Sequence, residues 1–369
     1  MERAWAWNGL GTLSWNGQGN IAQSLVYYHK ALESWPDFPT VWNAISNQEY
    51  FLGHAEAALF SARKWVEVAR INSASAILAT EQTGDYTALF HACADGTQRP
   101  NSGTVQNHDF YQLCALVALA SQHDGKGARD WLRNMPPVEA LANNSRGAEQ
   151  RLRASVALKD WQAVAAQEPE AEKIFLKYTP TWDLTVYNER LMRPMLALAK
   201  AELGDGAGAE TLIGKSPADC YDCVRYRGLI AAAAKEWGRA DYWFAKAVHD
   251  APSVPFAYAA WGQALLERGD PDAAIAKFTI ANQKGPKFAD PLEGWGEALM
   301  AKNRSDLALA KFEEAEKYTP NWGRLHLKWG EALGYSGKND EAQKQFALTA
   351  GLDLSAADKA ELTRVSGHG

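Results

Sequence analysis

Apolar and small residues recur every 34 positions along the C-terminal third of the chain. Trp-Gly pairs begin at Trp261, Trp295 and Trp329, and a leucine, an alanine and a phenylalanine follow each pair in step. In the first of these units they are Leu265, Ala274 and Phe278. A fixed period of about 20 to 50 residues indicates an array of repeated structural units. Residues 221–354 are therefore predicted to form an array of four such units, of which the first lacks the Trp-Gly pair at the corresponding position. Apolar residues inside each unit have the spacing of helices.

The same period is present near the N-terminus. Gly19 and Gly53 are 34 residues apart, and so are Ala31 and Trp65. Glycine tolerates the left-handed backbone of a tight turn between helices. Residues 1–72 are therefore predicted to form two helix pairs that turn at these two glycines.

Residues 73–220 keep helical spacing but lose the regular period, which predicts degenerate repeats joined by variable loops. Phe110 to Ser121 is strongly apolar and predicts a buried helix, whereas residues 95–103 have the composition of a loop. Pro194 lies inside an apolar pattern and predicts a helix start or a kink. Further helices are predicted at 146–158, 160–177, 184–203 and 206–214.

The final residues, 355–369, are predicted to cap the array. Ser355 is followed three positions later by Asp358, which resembles a capping box at the start of a helix. We expect a short polar helix here, followed by a tail.

The repeated residues resemble the tetratricopeptide repeat (TPR) family, whose unit is a 34-residue helix-turn-helix. The unit that starts at Pro255 matches it best. Its matching residues are Tyr258, Trp261, Gly262, Leu265, Gly269, Ala274, Phe278, Ala281 and Pro286. Trp stands where the family usually has Leu. The resemblance implies an all-α solenoid of antiparallel helix pairs, wound into a right-handed superhelix, that binds partner proteins without catalysis.

In TPR proteins, four positions of each first helix line the concave face, and the resemblance carries these positions onto this chain. The predicted groove residues are Asn43, Asn47, Tyr50, Phe256, Gln263, Leu266, Asp290, Glu293, Glu297, Met300, Arg324, Leu327 and Glu331. Three of them, Glu293, Glu297 and Glu331, predict an acidic patch suited to a basic or mixed peptide. A solvated helix face is the alternative interpretation of these carboxylates.

Charge and hydropathy narrow the partner class. The formal net charge is −6 and no basic cluster is present, which argues against binding of nucleic acid. No apolar run reaches the roughly 18 residues that suggest a membrane span. The first residues do not resemble a secretory leader. We therefore expect a cytoplasmic protein without membrane insertion, or a periplasmic one if a leader has been removed. Its oligomeric state stays open.

The four cysteines offer the main alternative chemistry. Cys220 and Cys223 form a C-x-x-C, which fits two ordinary thiols, a redox pair or a disulfide before the next helix. A zinc site would need further ligands from His91, Cys93, His108 or Cys114, at loose spacing. We expect free thiols in a reducing compartment, with no metal, no cofactor and no catalytic residues.

These observations favour a non-catalytic scaffold or adaptor that holds a partner peptide or protein in its concave groove. One alternative is a regulatory or sensory array cut from a larger bacterial signalling protein, of the winged-helix regulator or nucleotide-cyclase type. The other alternative is a metal or redox protein that uses Cys220 and Cys223.

Overall fold

A computed structural model describes residues 1–69, 80–97, 105–134, 145–169, 171 and 182–366. Within these ranges the chain forms helices and no strands. The helices are α1 (Glu2–Gln18), α2 (Ile21–Ser34), α3 (Pro39–Leu52), α4 (Ala55–Ala69), α5 (Tyr86–Thr97), α6 (Val105–Ser121), α7 (Gly125–Asn134), α8 (Ser145–Ala157), α9 (Trp161–Ala166), α10 (Trp182–Glu202), α11 (Gly206–Ile213), α12 (Tyr221–Ala233), α13 (Trp237–Asp250), α14 (Phe256–Glu267), α15 (Pro271–Lys284), α16 (Asp290–Ala301), α17 (Ser305–Glu316), α18 (Gly323–Tyr335), α19 (Asn339–Ala350) and α20 (Ala356–Ser366).

One kind of turn recurs along the whole described chain. Each turn has a residue with positive φ two positions before the next helix begins. These residues are Gly19, Gly53, Gly84, His123, Lys159, Gly204, Lys235, Gly269, Asn303 and Gly337. In several turns the next residue caps the new helix, as Asp270 does by accepting a hydrogen bond from the Ala273 N–H at 3.1 Å. The irregular middle region is therefore built from the same helix-turn-helix unit as the regular array.

A glycine and a phenylalanine form the core of each regular pair. Phe278 of α15 is 1% exposed, and its ring covers Gly262 of α14 so closely that an added Cβ would lie 2.7 Å from it. The same ring also lies against Gly294 of α16, the first helix of the next pair, where an added Cβ would lie 2.5 Å from it. Phe244, Phe312 and Phe346 cover Gly228, Gly296 and Gly330 in the same way. The ring therefore closes both the pair and the stack.

The repeated tryptophans lie at the edge of this core. Trp261, Trp295 and Trp329 are half-buried and pack against the buried clusters of adjacent pairs. Lys277 Nζ lies 3.4 Å from the Trp261 ring centroid, and Lys311 Nζ lies 4.1 Å from that of Trp295. These cation–π contacts cover the outer part of each ring.

The array coils far enough that distant units meet. Asp85 pairs with Lys287, 202 residues away, and Asp124 accepts a hydrogen bond from Asn321, 197 residues away. Such separations correspond to about six units of 34 residues. Turns at Gly53, Asp85 and Asp124 thus lie against loops between the C-terminal pairs. We call this contact line the seam. It runs from the contact of Gly53 with Ala251 to the pairing of Arg129 with Asp353.

Three local predictions for the middle region can be refined. Pro194 lies inside α10, which runs from Trp182 to Glu202, so it does not start a helix; the kink stays a prediction. The helix predicted at 160–177 is interrupted: α9 ends at Ala166, residue 167 forms a turn, and helical residues follow at 168–169 and 171, whereas residues 172–177 lie outside the described residues. The predicted loop at 95–103 begins later, since α5 extends to Thr97, and residues 98–104 lie outside the described residues. The predicted apolar helix is confirmed as α6, with Leu113 and Leu116 buried.

Candidate functional site

Helix α14 supplies the first three predicted C-terminal groove residues. Phe256 is half-buried, with its ring centroid 5.2 Å from that of Phe288 and 6.4 Å from that of Tyr86. Its side chain therefore contributes to the seam. Gln263 and Leu266 are half-buried, and Gln263 donates a hydrogen bond to the exposed Glu267 at 3.0 Å.

Helix α16 supplies four predicted groove residues in different environments. Asp290, at the start of the helix, lies 3.2 Å from His123 Nε2 across the seam. Glu293 is only 4% exposed, whereas Glu297 and Met300 are half-buried. The predicted positions on this helix therefore range from the seam to a buried carboxyl and a half-buried methionine.

Basic side chains of α18 hold the carboxyl groups of three helices together. Arg324 lies 3.2 Å from Glu293, 2.5 Å from Glu297 and 3.0 Å from Asp358 of α20. Lys328 lies 3.2 Å from Glu331 and 2.9 Å from Glu361. We call these seven residues the charged cluster. It comprises Glu293, Glu297, Arg324, Lys328, Glu331, Asp358 and Glu361.

The carboxyl groups of the predicted acidic patch are therefore largely paired with cations of this chain. This corrects the prediction that they form an open acidic surface. Sequence reasoning missed Lys328, Asp358 and Glu361, although the 34-residue grid offered a signal. Asp358 stands 34 residues after Arg324, on a helix that takes the place of the next unit's first helix. Formally, five carboxyl groups face two cations in the cluster, so it can keep a negative balance.

Protons are unevenly shared within the charged cluster. Burial, then the neighbouring Glu297, raises the pKa of Glu293 well above its usual range. Burial opposes ionisation of Glu297 too, but hydrogen bonding with Glu293 and the charge of Arg324 lower the pKa of Glu297. Burial likewise raises the pKa of Glu331 from its usual 4.5 to about 7. Glu293 is therefore the member of its pair that keeps a proton to higher pH, and Glu331 titrates near neutral pH.

Leu327 of α18 is fully buried, and it contacts the core rather than solvent. It thus does not present its side chain to a partner in this structure. The same applies to Glu293, whose side chain is enclosed by its pairing with Arg324. The reason is that α20 packs across α18 and closes the end of the stack.

The N-terminal groove residues lie on α3. Asn43 and Asn47 are half-buried, and the Asn47 side-chain amide donates to the Asn43 side-chain oxygen at 3.5 Å. Tyr50 is 8% exposed, and its hydroxyl accepts a hydrogen bond from Arg153 at 2.7 Å. Burial raises the pKa of this hydroxyl well above its usual range.

Arg153 connects three stretches of the N-terminal half of the chain. Besides Tyr50, it lies 2.6 Å from Glu81 and 2.6 Å from Glu149, which is almost fully buried. The sequence gave no positional signal for this network, because Arg153 and its carboxylate partners lie in the region without a regular period. Tyr50 therefore belongs to an internal network in this structure.

The expectation of four free thiols is wrong. Cys220 forms a disulfide with Cys223, and Cys93 forms one with Cys114, with Cα–Cα distances of 5.3 and 5.8 Å. The C-x-x-C disulfide is buried at the start of α12, where the Cys220 sulfur accepts a hydrogen bond from the Cys223 N–H. The cysteine argument for a reducing compartment therefore fails, and a cytoplasmic location stays a prediction.

The described residues contain no group of three or more His, Cys, Asp or Glu side chains arranged to hold a metal ion. The His108 side chain falls outside them. None of the described helices combines the length and apolar composition needed to cross a bilayer.

Comparison with known proteins gave matches among solved structures alone, since no family model and no curated protein matches the chain. Yeast Tom70 aligns at 13% identity over all of this chain and 95% of its own, with a TM-score of 0.42. PilF of Pseudomonas aeruginosa aligns at 18% over 47% of this chain and 83% of its own (TM-score 0.41), and MamA at 22% over 41% and 90% (TM-score 0.36). The chain's own recurring helix-turn-helix units give it a TPR-like helical-repeat fold.

Proposed function

We propose that this protein is a non-catalytic scaffold that binds a partner protein along the predicted groove of its C-terminal pairs. The binding surface would consist of the first helices α14, α16 and α18, completed by α20. Its partner would present a basic or mixed segment in helical or extended form.

The charged cluster is the observation that carries this proposal. Its carboxyl groups outnumber its cations, and the proton on Glu331 is held only up to about pH 7. A lysine or arginine from a partner would favour loss of this proton, because a nearby positive charge stabilises the carboxylate. Leu266 and Met300 lie half-buried on the adjoining first helices and offer apolar contacts. The surface therefore combines apolar and acidic features.

The test is capture of partners from the source organism by variants in which the charge of the proposed binding surface is altered. Glu293→Lys is unsuitable, because it would bury a second cation beside Arg324 and damage the fold. We instead combine Glu267→Lys, which is exposed, with Glu331→Gln. The matched control is Glu313→Lys, an exposed charge reversal on α17, the second helix of its pair.

Partners that are retained by the wild type and the control but lost by the Glu267→Lys/Glu331→Gln variant would support the proposal. Equal capture by all three proteins would contradict it. The regulatory-array alternative shares this surface and stays a proposal that the full reading frame would test. The redox alternative is less favoured, because the Cys220–Cys223 disulfide is buried against the carbonyl of Arg190.

A further inference from the structure

The part of the seam near α4 and α5 is closely packed and mainly apolar, apart from the Asp85–Lys287 ion pair. A Cβ at Gly53 would lie 2.5 Å from the Ala251 Cβ, and one at Gly84 would lie 2.6 Å from the Phe288 Cβ. Tyr86 packs beside Phe256 and Phe288 in one cluster. The buried apolar contacts make this part the firm end of the seam, because apolar burial contributes more stability than exposed polar contacts do.

The part of the seam near α6 and α7 is polar. Asp124 accepts a hydrogen bond from the exposed Asn321 at 2.9 Å, and His123 stacks on Trp322 with ring centroids 3.8 Å apart. Arg129 of α7 forms a two-oxygen pair with Asp353 at 2.7 and 2.9 Å. Both side chains of that pair are exposed, at 56% and 42%. Exposed ion pairs contribute little stability and are weakened by salt.

This polar end is connected directly to the candidate binding surface. His123 contacts Asp290, the first residue of α16. Asp353 lies in the loop that leads into α20, and its carbonyl packs against Gly323 at the start of α18. The three elements that carry the charged cluster are thus each attached to the same polar contacts. We call the contacts of His123, Asp124 and Arg129 the latch.

We propose that the two sides of the seam separate at the latch while the apolar end of the seam acts as a hinge, and that this opening admits a partner to the charged cluster. A basic partner would compete with His123 for Asp290 and with Arg129 for Asp353. The use of the opening rests on the proposed function, but the opening itself can be measured without any partner.

Small-angle X-ray scattering of the full chain tests the opening. A compact chain of this length has a radius of gyration of about 21 Å. Arg129→Asp should increase the radius at low salt, because it places two carboxylates against each other. The paired reversal Arg129→Asp with Asp353→Arg should restore the wild-type radius. Asp124 is left unchanged, because it also caps α7.

The control is Arg239→Asp, which reverses an exposed ion pair with Glu210 away from the seam. It should leave the radius unchanged. Hydrogen exchange provides the second measurement. The Arg129→Asp variant should exchange faster at the first turns of α16, α18 and α20, with unchanged protection in α12 to α14. This pattern distinguishes opening from general unfolding.

The wild-type protein should show the same expansion when sodium chloride is raised, which avoids dependence on any variant. An unchanged radius in Arg129→Asp and in high salt would overturn the latch. So would expansion that the paired reversal fails to reverse. Equal partner capture by the wild type and the Glu267→Lys/Glu331→Gln variant, together with expansion at high salt, would instead count against the proposed function alone.

Discussion

Replacing Gly262 by alanine should destabilise the pair α14–α15, even though alanine is the better helix former. The added Cβ would lie 2.7 Å from one carbon of the Phe278 ring and 2.8 Å from another. The ring has little room to shift, because it also lies against Gly294 of α16, where an added Cβ would lie 2.5 Å from it. Overpacking of this kind costs about 1–3 kcal/mol.

A matched control separates packing from helix propensity. Gly238 lies in α13, is exposed, and has nothing within 4 Å of an added Cβ. Gly238→Ala should therefore stabilise its helix by about 0.5–1 kcal/mol. The same propensity gain applies to Gly262→Ala. The difference between the two variants should thus equal the packing cost of about 1–3 kcal/mol.

The assay is native-state hydrogen exchange, because a repeat array can open locally and need not unfold in one step. Amides of α14 to α16 should lose protection in Gly262→Ala. Equal or greater protection in Gly262→Ala than in Gly238→Ala would refute the account of the glycine–phenylalanine core.

Three other outcomes are expected. The folded chain holds the Glu331 proton up to about pH 7, whereas the unfolded chain releases it near 4.5, so stability should fall as pH rises through this window. Glu331→Gln should flatten that fall in urea unfolding, and an unchanged slope would contradict the pKa shift. Replacing Cys93 and Cys114 by serine should lower the free energy of unfolding by about 3 kcal/mol, because the disulfide joins residues that are 21 positions apart. Free thiols in the unreduced, unfolded wild type would exclude the bridge. Phe312→Ala should lower the free energy of unfolding by about 3–5 kcal/mol, because Phe312 is fully buried. Phe60→Ala, at an exposed position, should change it by less than about 1 kcal/mol.

The regular part of the fold could be predicted because its period is short and strict. Gly269 and Phe278 have the turn and core roles expected of them, and the units at 221–354 form four helix pairs. The middle turns were harder to place. His123 and Lys159 adopt the left-handed conformation without being glycine, so no composition signal marked them.

The site was predicted only in part, because the 34-residue period fixes a residue's position within its unit but not the side chains that it pairs with. Glu297 and Glu331 were placed on the first helices, yet Glu297 pairs with Arg324 of the next unit, and Glu331 shares Lys328 with Glu361 of α20. The seam could not be predicted at all. Its contacts join residues about 200 positions apart, and they depend on how tightly the superhelix winds.

Site-specific photo-crosslinking to captured partners tests the central claim most directly. A photoreactive residue at Gln263, on the candidate binding surface, is compared with one at Glu313, on the second helix of its pair. The account predicts a crosslinked partner at Gln263 and none at Glu313. Crosslinks at Glu313 with none at Gln263 would place the partner on the other face and contradict the account.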